Sequence, residues 1–250
     1  MSKFKNGLRG CSKNSWIFIL LAALKQDIII VLMTRAEENY IKTIFHLGGN
    51  DTRLISTNSI AAEMATKPSS VTDMAKKLAE KDLVRYVRYQ GVSLTDLGIK
   101  TALSIIRKHR LWEVFLVKKL DFTWDEVHEV AEQLEHIKSE KLIDKIDELL
   151  DFPKYDPHGD PIPTKSGEFL ERDKQLLSEL PIGSSGVCVG VKDTSTAFLK
   201  FLDKNHIALG NEISVLEKEA FDDSLRIKIG DKELHISHQI ATNLYVKKEK

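Results

Sequence analysis

The stretch Ser59–Leu94, SIAAEMATKPSSVTDMAKKLAEKDLVRYVRYQGVSL, decides the fold. Ile60-Ala61-Ala62-Glu63-Met64-Ala65 is a short helix that Thr57 or Ser59 can cap, and Thr66-Lys67-Pro68 makes a tight turn. Ser69 or Ser70 then caps a longer helix to about Lys81, with Val71, Met74, Ala75 and Leu78 as its buried stripe. Short helix, tight turn and longer helix is the helix-turn-helix order, in which the second helix lies in the major groove of DNA. Leu83–Tyr89 alternates, Gln90-Gly91 turns the chain, and Val92-Ser93-Leu94 returns. That hairpin is the wing of a winged helix.

Cationic side chains gather on this stretch: Lys67, Lys76, Lys77, Lys81, Arg85 and Arg88. Phosphate contacts from such residues give salt-dependent affinity. Pro68 opens the reading helix, and Ser69, Ser70, Thr72 and Asp73 can reach base edges from it. The bland alternative is a solvated helix face beside an ordinary hairpin. The whole chain has net charge zero, so nucleic-acid contact has to come from a local patch.

Upstream, Tyr40, Ile41, Ile44, Phe45 and Leu47 mark an amphipathic helix opened by Glu37 and Glu38, and Gly48-Gly49-Asn50-Asp51 stops it. Residues 1–33 form a separate extension. Lys3, Lys5, Arg9 and Lys13 precede the apolar run Trp16–Leu24, and Ile28–Leu32 follows a charged break. A basic region before a short apolar run is the pattern of a secretory signal. As a membrane span it is too short and interrupted by charge. The reading favoured here is that the functional chain starts at Met33.

Downstream, Thr95 or Asp96 caps a long helix reaching about Leu120. Thr123-Trp124-Asp125-Glu126 has capping-box spacing and starts a helix carrying His128 to His136, and Ser139 caps another through Leu150. Residues four apart share a helix face. His109/Glu113 therefore pair on one helix, while His128, Glu132, Glu135 and His136 form an imidazole and carboxylate ladder on the next. Carboxylates are expected on helix faces in a chain that is 30% charged, and a lone histidine is more often structural than a ligand. Density raises the metal reading, because three of the eight histidines fall between Ile106 and His136. Nitrogen and oxygen donors without thiolate suit Mn²⁺ or Fe²⁺ better than a soft ion.

Asp151–Gly167 holds Pro153, Pro157, Pro161 and Pro163 and reads as an extended ordered loop containing Asp156-Pro157-His158-Gly159-Asp160. A short helix is expected around Phe169–Leu180 and another around Thr196–Asn205. Strands are expected at Val187–Val191, Glu212–Leu216, Leu225–Ile229 and Glu233–Ile236, and Ile240–Val246 is expected to close a small β-barrel. Cys11 and Cys188 are the only cysteines, which excludes a disulfide scaffold or a cysteine-rich zinc module and fits a reducing cytoplasm.

In order and separation, several motifs resemble the diphtheria toxin repressor family of metal-dependent regulators, in its manganese-transport-regulator branch. They are Glu38-Asn39-Tyr40, Pro68-Ser69-Ser70-Val71-Thr72, Arg107-Lys108-His109-Arg110-Leu111, Val127-His128 and Leu134-Glu135-His136. The resemblance covers residues 34–246. It implies a mainly α protein with a small β-barrel: a winged helix-turn-helix at 34–98, a helical metal-binding and dimerisation domain at 99–152, a Pro-rich linker at 153–185, and a Src-homology-3-like (FeoA-like) domain at 186–250.

The resemblance also implies a primary metal site from Asn39, Glu132, Glu135 and His136. Asn39 departs from the Asp of manganese-responsive relatives and the Met of iron-responsive ones. Glu132 stands where iron-responsive relatives carry Cys, which favours Mn²⁺. Lys42 replaces a Glu that some relatives use for an adjacent ion. A second site follows from His109, Glu113 and His128, with Asp156, His158 and Asp193 from the loop and barrel.

The expected function is a cytoplasmic Mn(II)-dependent repressor of metal-uptake genes, with two ions per subunit, acting as a homodimer on double-stranded operator DNA. Neither a membrane nor a small organic substrate is expected as a partner. Metal shared by Asn39 and the later helix would clamp the reading domain, and by reciprocity DNA would tighten metal binding. Three rivals remain: an Fe(II)-responsive repressor, a metal-independent winged-helix regulator with a ligand-binding barrel, and an enzyme. His128-Glu129-Val130-Ala131-Glu132 is similar to the zinc-hydrolase H-E-x-x-H pattern but lacks the second histidine.

Overall fold

A computed structural model describes residues 33–49, 53–169 and 173–248. The extension at 1–32, where the leader or upstream-extension reading falls, lies outside the described residues. The chain divides into two compact units, one ending at Ile105 and the other starting at Ile106.

In the first unit, helix α1 (Arg35–Gly48) begins with a capping box between Thr34 and Glu37, and buries Tyr40, Ile41, Ile44 and Phe45. Helix α2 (Thr57–Glu63) is capped by Ser56, one residue before the expected Thr57, because the Ser56 hydroxyl accepts from Ser59 N at 3.0 Å. Helix α3 (Pro68–Glu80) also departs from expectation. Its N-cap is Lys67 with no side-chain cap bond, not Ser69 or Ser70. Proline at the first helical position has its φ already set and no N–H to leave unsatisfied, so the helix starts there. Val71, Ala75 and Leu78 are buried as expected, and Met74 is half-buried. Fully burying an Ile or Leu contributes about 1.5–3 kcal/mol, and Ile41, Ile60, Leu78 and Leu83 supply four such residues.

Strands β1 (Val84–Val87) and β2 (Gly91–Leu94) form the antiparallel wing. Ile55 adds an unforeseen third rung, exchanging backbone hydrogen bonds of 2.8 and 2.9 Å with Val92. Gly91 makes this approach possible. It sits at φ +138°, and a Cβ there would lie 2.3 Å from the Ile55 carbonyl oxygen.

Helix α4 (Asp96–Leu120) starts directly after β2 and runs through the division between the units. Thr95 caps it, accepting from Gly98 N at 3.0 Å while donating to the Asp82 carbonyl at 2.6 Å. In the second unit, α5 (Val127–Leu134) and α6 (Glu140–Leu149) pack with α4 around Leu111, Val114, Val127, Ala131, Ile143 and Ile146. The expected capping box at Thr123–Glu126 is half formed. Glu126 accepts from Thr123 N at 3.2 Å, but this closes a turn ahead of α5, whose N-cap position carries no side-chain bond. Ser139 caps α6 as expected.

The C-terminal part is a six-stranded sheet in the order β3-β8-β4-β5-β6-β7. Its strands are β3 (Gln175–Leu176), β4 (Ser185–Val191), β5 (Glu212–Lys218), β6 (Leu225–Ile229), β7 (Lys232–Ile236) and β8 (Leu244–Lys248). Helix α7 (Thr196–Lys204) and the short α8 (His238–Ala241) complete it. Two expectations change. Among the described residues β3 and β7 remain edges, so the sheet is β-rich but not a closed barrel. Of the helix expected at Phe169–Leu180, the described residues from 173 onward instead form β3 followed by a 3-10 turn at Leu177–Glu179, because Gln175 and Leu176 pair with Val246 and Tyr245. Within the segment expected to close the barrel, Ile240 and Ala241 belong to α8, and the strand itself starts only at Leu244.

Candidate metal centre and nucleic-acid face

The nucleic-acid candidates lie along α3 and β1. Lys67, Pro68, Ser69, Ser70, Asp73, Lys76, Arg85 and Arg88 are exposed, and Thr72 is half-buried. Thr72 Oγ1 donates to the Pro68 carbonyl at 3.0 Å, and Lys76 lies 3.4 Å from Asp73. At the wing tip the Arg88 guanidinium sits 4.7 Å from the centre of the Tyr89 ring, which is 90% exposed.

The second unit does the opposite with its charges. His109 and Glu113 lie one turn apart on α4, and the His109 Nε2 and Glu113 Oε1 atoms are 3.0 Å apart. The other ring nitrogen, Nδ1, is 2.6 Å from Glu135 Oε2 and 4.0 Å from Glu132 Oε1. Glu113 also faces His128 Nδ1 and His158 Nδ1, each at 3.6 Å. Glu113, Glu135 and His158 are nearly inaccessible. Three donor groups result, each with its ligand atoms within 4.8 Å of one another: His109/Glu113/His128, His109/Glu132/Glu135 and Glu113/Asp156/His158.

The expected ladder along one helix takes a different form. Helix α5 ends at Leu134, so Glu135 and His136 occupy the turn beyond it, and His128 points at Glu113 on α4. His136 Nε2 joins through Glu135 Oε1 at 3.9 Å. Asp193 is outside all three groups; its carboxylate accepts from Ser195 N at 2.8 Å, at the start of α7. Asn39 lies on α1 in the first unit, with a buried Oδ1 that has no hydrogen-bond partner among the described residues.

Charge balance explains the protonation of the cluster. Burial disfavours the His109 cation, but the hydrogen bonds it donates to Glu113 and Glu135 outweigh that and raise its pKa to about 9. Burial alone would raise Glu113, yet His109, His128 and His158 hold it far below the usual carboxylate range. Asp156 goes the other way, to about 7, because it is buried and near the Glu113 charge, with Arg110 only partly compensating. His158 is raised against its burial by Glu113 and Asp156.

Sequence reasoning missed what holds the Pro-rich loop in place. Arg110, on α4, pairs with Asp156 at 3.3 Å and Asp160 at 3.2 Å, and donates to the Pro161 carbonyl. Arg107 bonds Asp147 at 2.7 Å and the Pro163 carbonyl at 3.2 Å. Asp156 Oδ1 in turn accepts from His158 N and Asp160 N, both at 2.9 Å, which folds the loop tightly around His158. Two arginines three apart opposite a proline-rich acidic loop were the available signal.

A winged helix with an exposed cationic reading face, carried on one chain with a buried imidazole–carboxylate cluster, defines a metal-responsive DNA-binding regulator. Residues 32–92 match the iron dependent repressor N-terminal DNA-binding domain, residues 95–164 its metal binding and dimerisation domain, and residues 175–248 the FeoA domain. The chain belongs to the iron-dependent repressor family, that of the diphtheria toxin repressor, whose members are regulators and not enzymes.

An HTH-type transcriptional regulator of Methanocaldococcus jannaschii is 35% identical over 114 residues, which is 46% of this chain and 91% of that protein. A solved manganese-dependent transcriptional repressor in complex with manganese superposes with a TM-score of 0.76 at 31% identity, covering 85% of this chain and all of that one. A probable metal transport system membrane protein of Chlamydia trachomatis is 43% identical over 89 residues, but the chain spans only 20% of that protein's length and 36% of its own is matched. No helix among the described residues is long and apolar enough to cross a membrane.

Proposed function

We propose that the chain is a cytoplasmic, homodimeric repressor that binds operator DNA when loaded with Mn²⁺ and controls metal-uptake genes. The observation carrying this is the set of three interlocked donor groups sharing His109 and Glu113, built from imidazole and carboxylate without thiolate. That donor chemistry fits Mn²⁺ better than a thiophilic ion. Two ions per subunit are proposed. His109, Glu113 and His128 would hold one, supported by His158 and Asp156. Glu132, Glu135 and His136 would hold the other, and Asn39 offers a neutral amide oxygen where a carboxylate would add charge.

A bound divalent ion supplies positive charge that the buried carboxylates otherwise obtain from protonated imidazole. The protein's own residues do the rest. His109 must give up a proton to ligate, so its two carboxylate partners are poised to exchange H⁺ for metal. Helix α4 carries His109 and Glu113 and continues the chain directly from wing strand β2. Lys67, Lys76, Arg85 and Arg88 supply phosphate contacts, while Ser69, Ser70 and Thr72 read base edges.

The test is fluorescence anisotropy on a duplex selected from a random pool, titrated in parallel with Mn²⁺, Fe²⁺ and Zn²⁺. Mn²⁺ should raise affinity roughly 5- to 150-fold, as typical couplings do. Equal DNA affinity with and without every metal would defeat the proposal, and a response to Fe²⁺ alone would reassign the ion.

A further inference from the structure

His158 is the imidazole that the Pro-rich loop contributes to the donor groups, and its ring is oriented by an unexpected partner. His158 Nε2 lies 2.8 Å from the Trp124 backbone carbonyl. A carbonyl can only accept, so Nε2 carries the hydrogen. Nδ1 is then the nitrogen with a free lone pair in the neutral ring, and it is the one facing Glu113 Oε2 at 3.6 Å. Metal-ligating histidines commonly donate the other ring N–H in this way, which fixes tautomer and orientation.

The Trp124 turn is itself held by the C-terminal domain. Its indole packs against that domain's core, and its Nε1 donates to both carboxylate oxygens of Asp203 on α7, each at 3.0 Å. The indole also stacks on the His158 ring, with planes 14° apart and centroids 6.3 Å apart. Next along the turn, Asp125 lies 3.6 Å from Lys200 Nζ, also on α7. The loop side is anchored on the same domain. Val191 N donates to the His158 carbonyl at 2.9 Å, and a Cβ on Gly159 would lie 2.1 Å from the Val189 carbonyl oxygen. The domain thus reaches the donor cluster through one backbone hydrogen bond, one close backbone approach and the Trp124 indole, while its own Asp193 is engaged at the start of α7.

We propose that Trp124 is a positioning residue for metal uptake: tied to Asp203, it holds the His158 ring so that Nδ1 is presented beside Glu113. The C-terminal domain then tunes the cluster by orienting a ligand. This rests on the metal reading above.

The experiment compares wild type, Asp203→Ala, Asp203→Asn and Trp124→Phe in the full chain. Trp124→Phe keeps a packed ring but loses the N–H donor, and Asp203→Asn keeps an acceptor for it. Long-range ¹H–¹⁵N NMR of the metal-free protein, above the titration of His158, reads the tautomer; electron paramagnetic resonance of free Mn²⁺ reads uptake.

Wild type and Asp203→Asn should hold His158 as the Nε2–H form. Asp203→Ala and Trp124→Phe should show a mixture, and should weaken the His158-dependent Mn²⁺ equivalent by roughly 10- to 100-fold, the usual cost of losing such a partner. The Asp203→Ala/Trp124→Phe double variant should be no worse than either single one. Wild-type tautomer and uptake in both disruptive variants would overturn the proposal. A wild type that takes up no Mn²⁺ would instead break the metal reading, which the metal-free tautomer measurement distinguishes.

Discussion

The reading face and the donor cluster treat charge in opposite ways. On α3 and the wing, cations stand in water, and the contacts they make, such as Lys76 to Asp73, are exposed. Around Glu113 the charges face one another, with buried His109 and His158 and the half-exposed His128 converging on one buried carboxylate. The difference teaches where each region's energy lies. Surface charges are nearly free to the folded state and act when a polyanion arrives. Buried charges hold the fold only while every partner is present.

The largest test of that contrast is Glu113→Ala. It leaves three imidazoles facing one another without their shared carboxylate, and breaking a buried ion pair costs about 3–5 kcal/mol. Denaturant melts of the metal-free variant should show that loss, whereas Arg85→Ala should stay within about 0.5 kcal/mol of wild type. Equal losses at both positions would erase the contrast.

The next largest effect belongs to the exposed face. Lys76→Ala with Arg85→Ala should weaken DNA binding across all duplex sequences and flatten the dependence of log affinity on log salt by about one unit per residue removed. A change confined to one base-pair position would show instead that these residues read sequence.

The pH response should run in opposite directions for folding and for metal. His109 is raised from 6.5 to about 9, so the stability it gives the metal-free fold is complete below about 6.5 and is lost as pH rises through about 9. Asp156, raised to about 7, adds a loss of the same sign between its ordinary value of 3.8 and 7. Metal-free thermal stability should therefore fall from pH 6 to 9. Mn²⁺ affinity, measured by calorimetry, should rise over the same interval as the competing proton leaves His109. Parallel trends would contradict the assignment of His109 as both proton holder and ligand.

The smallest expected effect is local. Ser56→Ala removes the cap of α2 and should cost about 1 kcal/mol in a thermal melt, without changing metal affinity.

Much of the first unit was legible because its signals are local. The α3 stripe and the wing hairpin follow from periods that act within a few residues, although the turn expected at Gln90-Gly91 falls at 88–90, with Tyr89 at φ +64° and Gly91 already in β2. The caps slipped by one or two positions because several small polar residues stood side by side, and Pro68 overrode Ser69 and Ser70 by setting the first helical φ. The second unit was legible in its ingredients more than its wiring. Helical spacing pairs His109 with Glu113, which the structure repeats, but nothing in spacing connects His109 to Glu135 across 26 residues. The pairing of Arg110 with Asp156 and of Gln175 with Val246 likewise depends on tertiary approach. Closure of the C-terminal sheet was expected from the strand pattern and the family resemblance, and neither says whether the two outer members meet.

The ring of His109 has two nitrogens, and they face different donor groups. No replacement at this position can alter one group and spare the other. A lineage adjusting its ion preference would have to do so at flanking positions such as Glu132 or His128, each of which enters a single group. Position 109 is a shared hinge of inheritance: a change there reaches both groups, whereas each neighbour can drift alone.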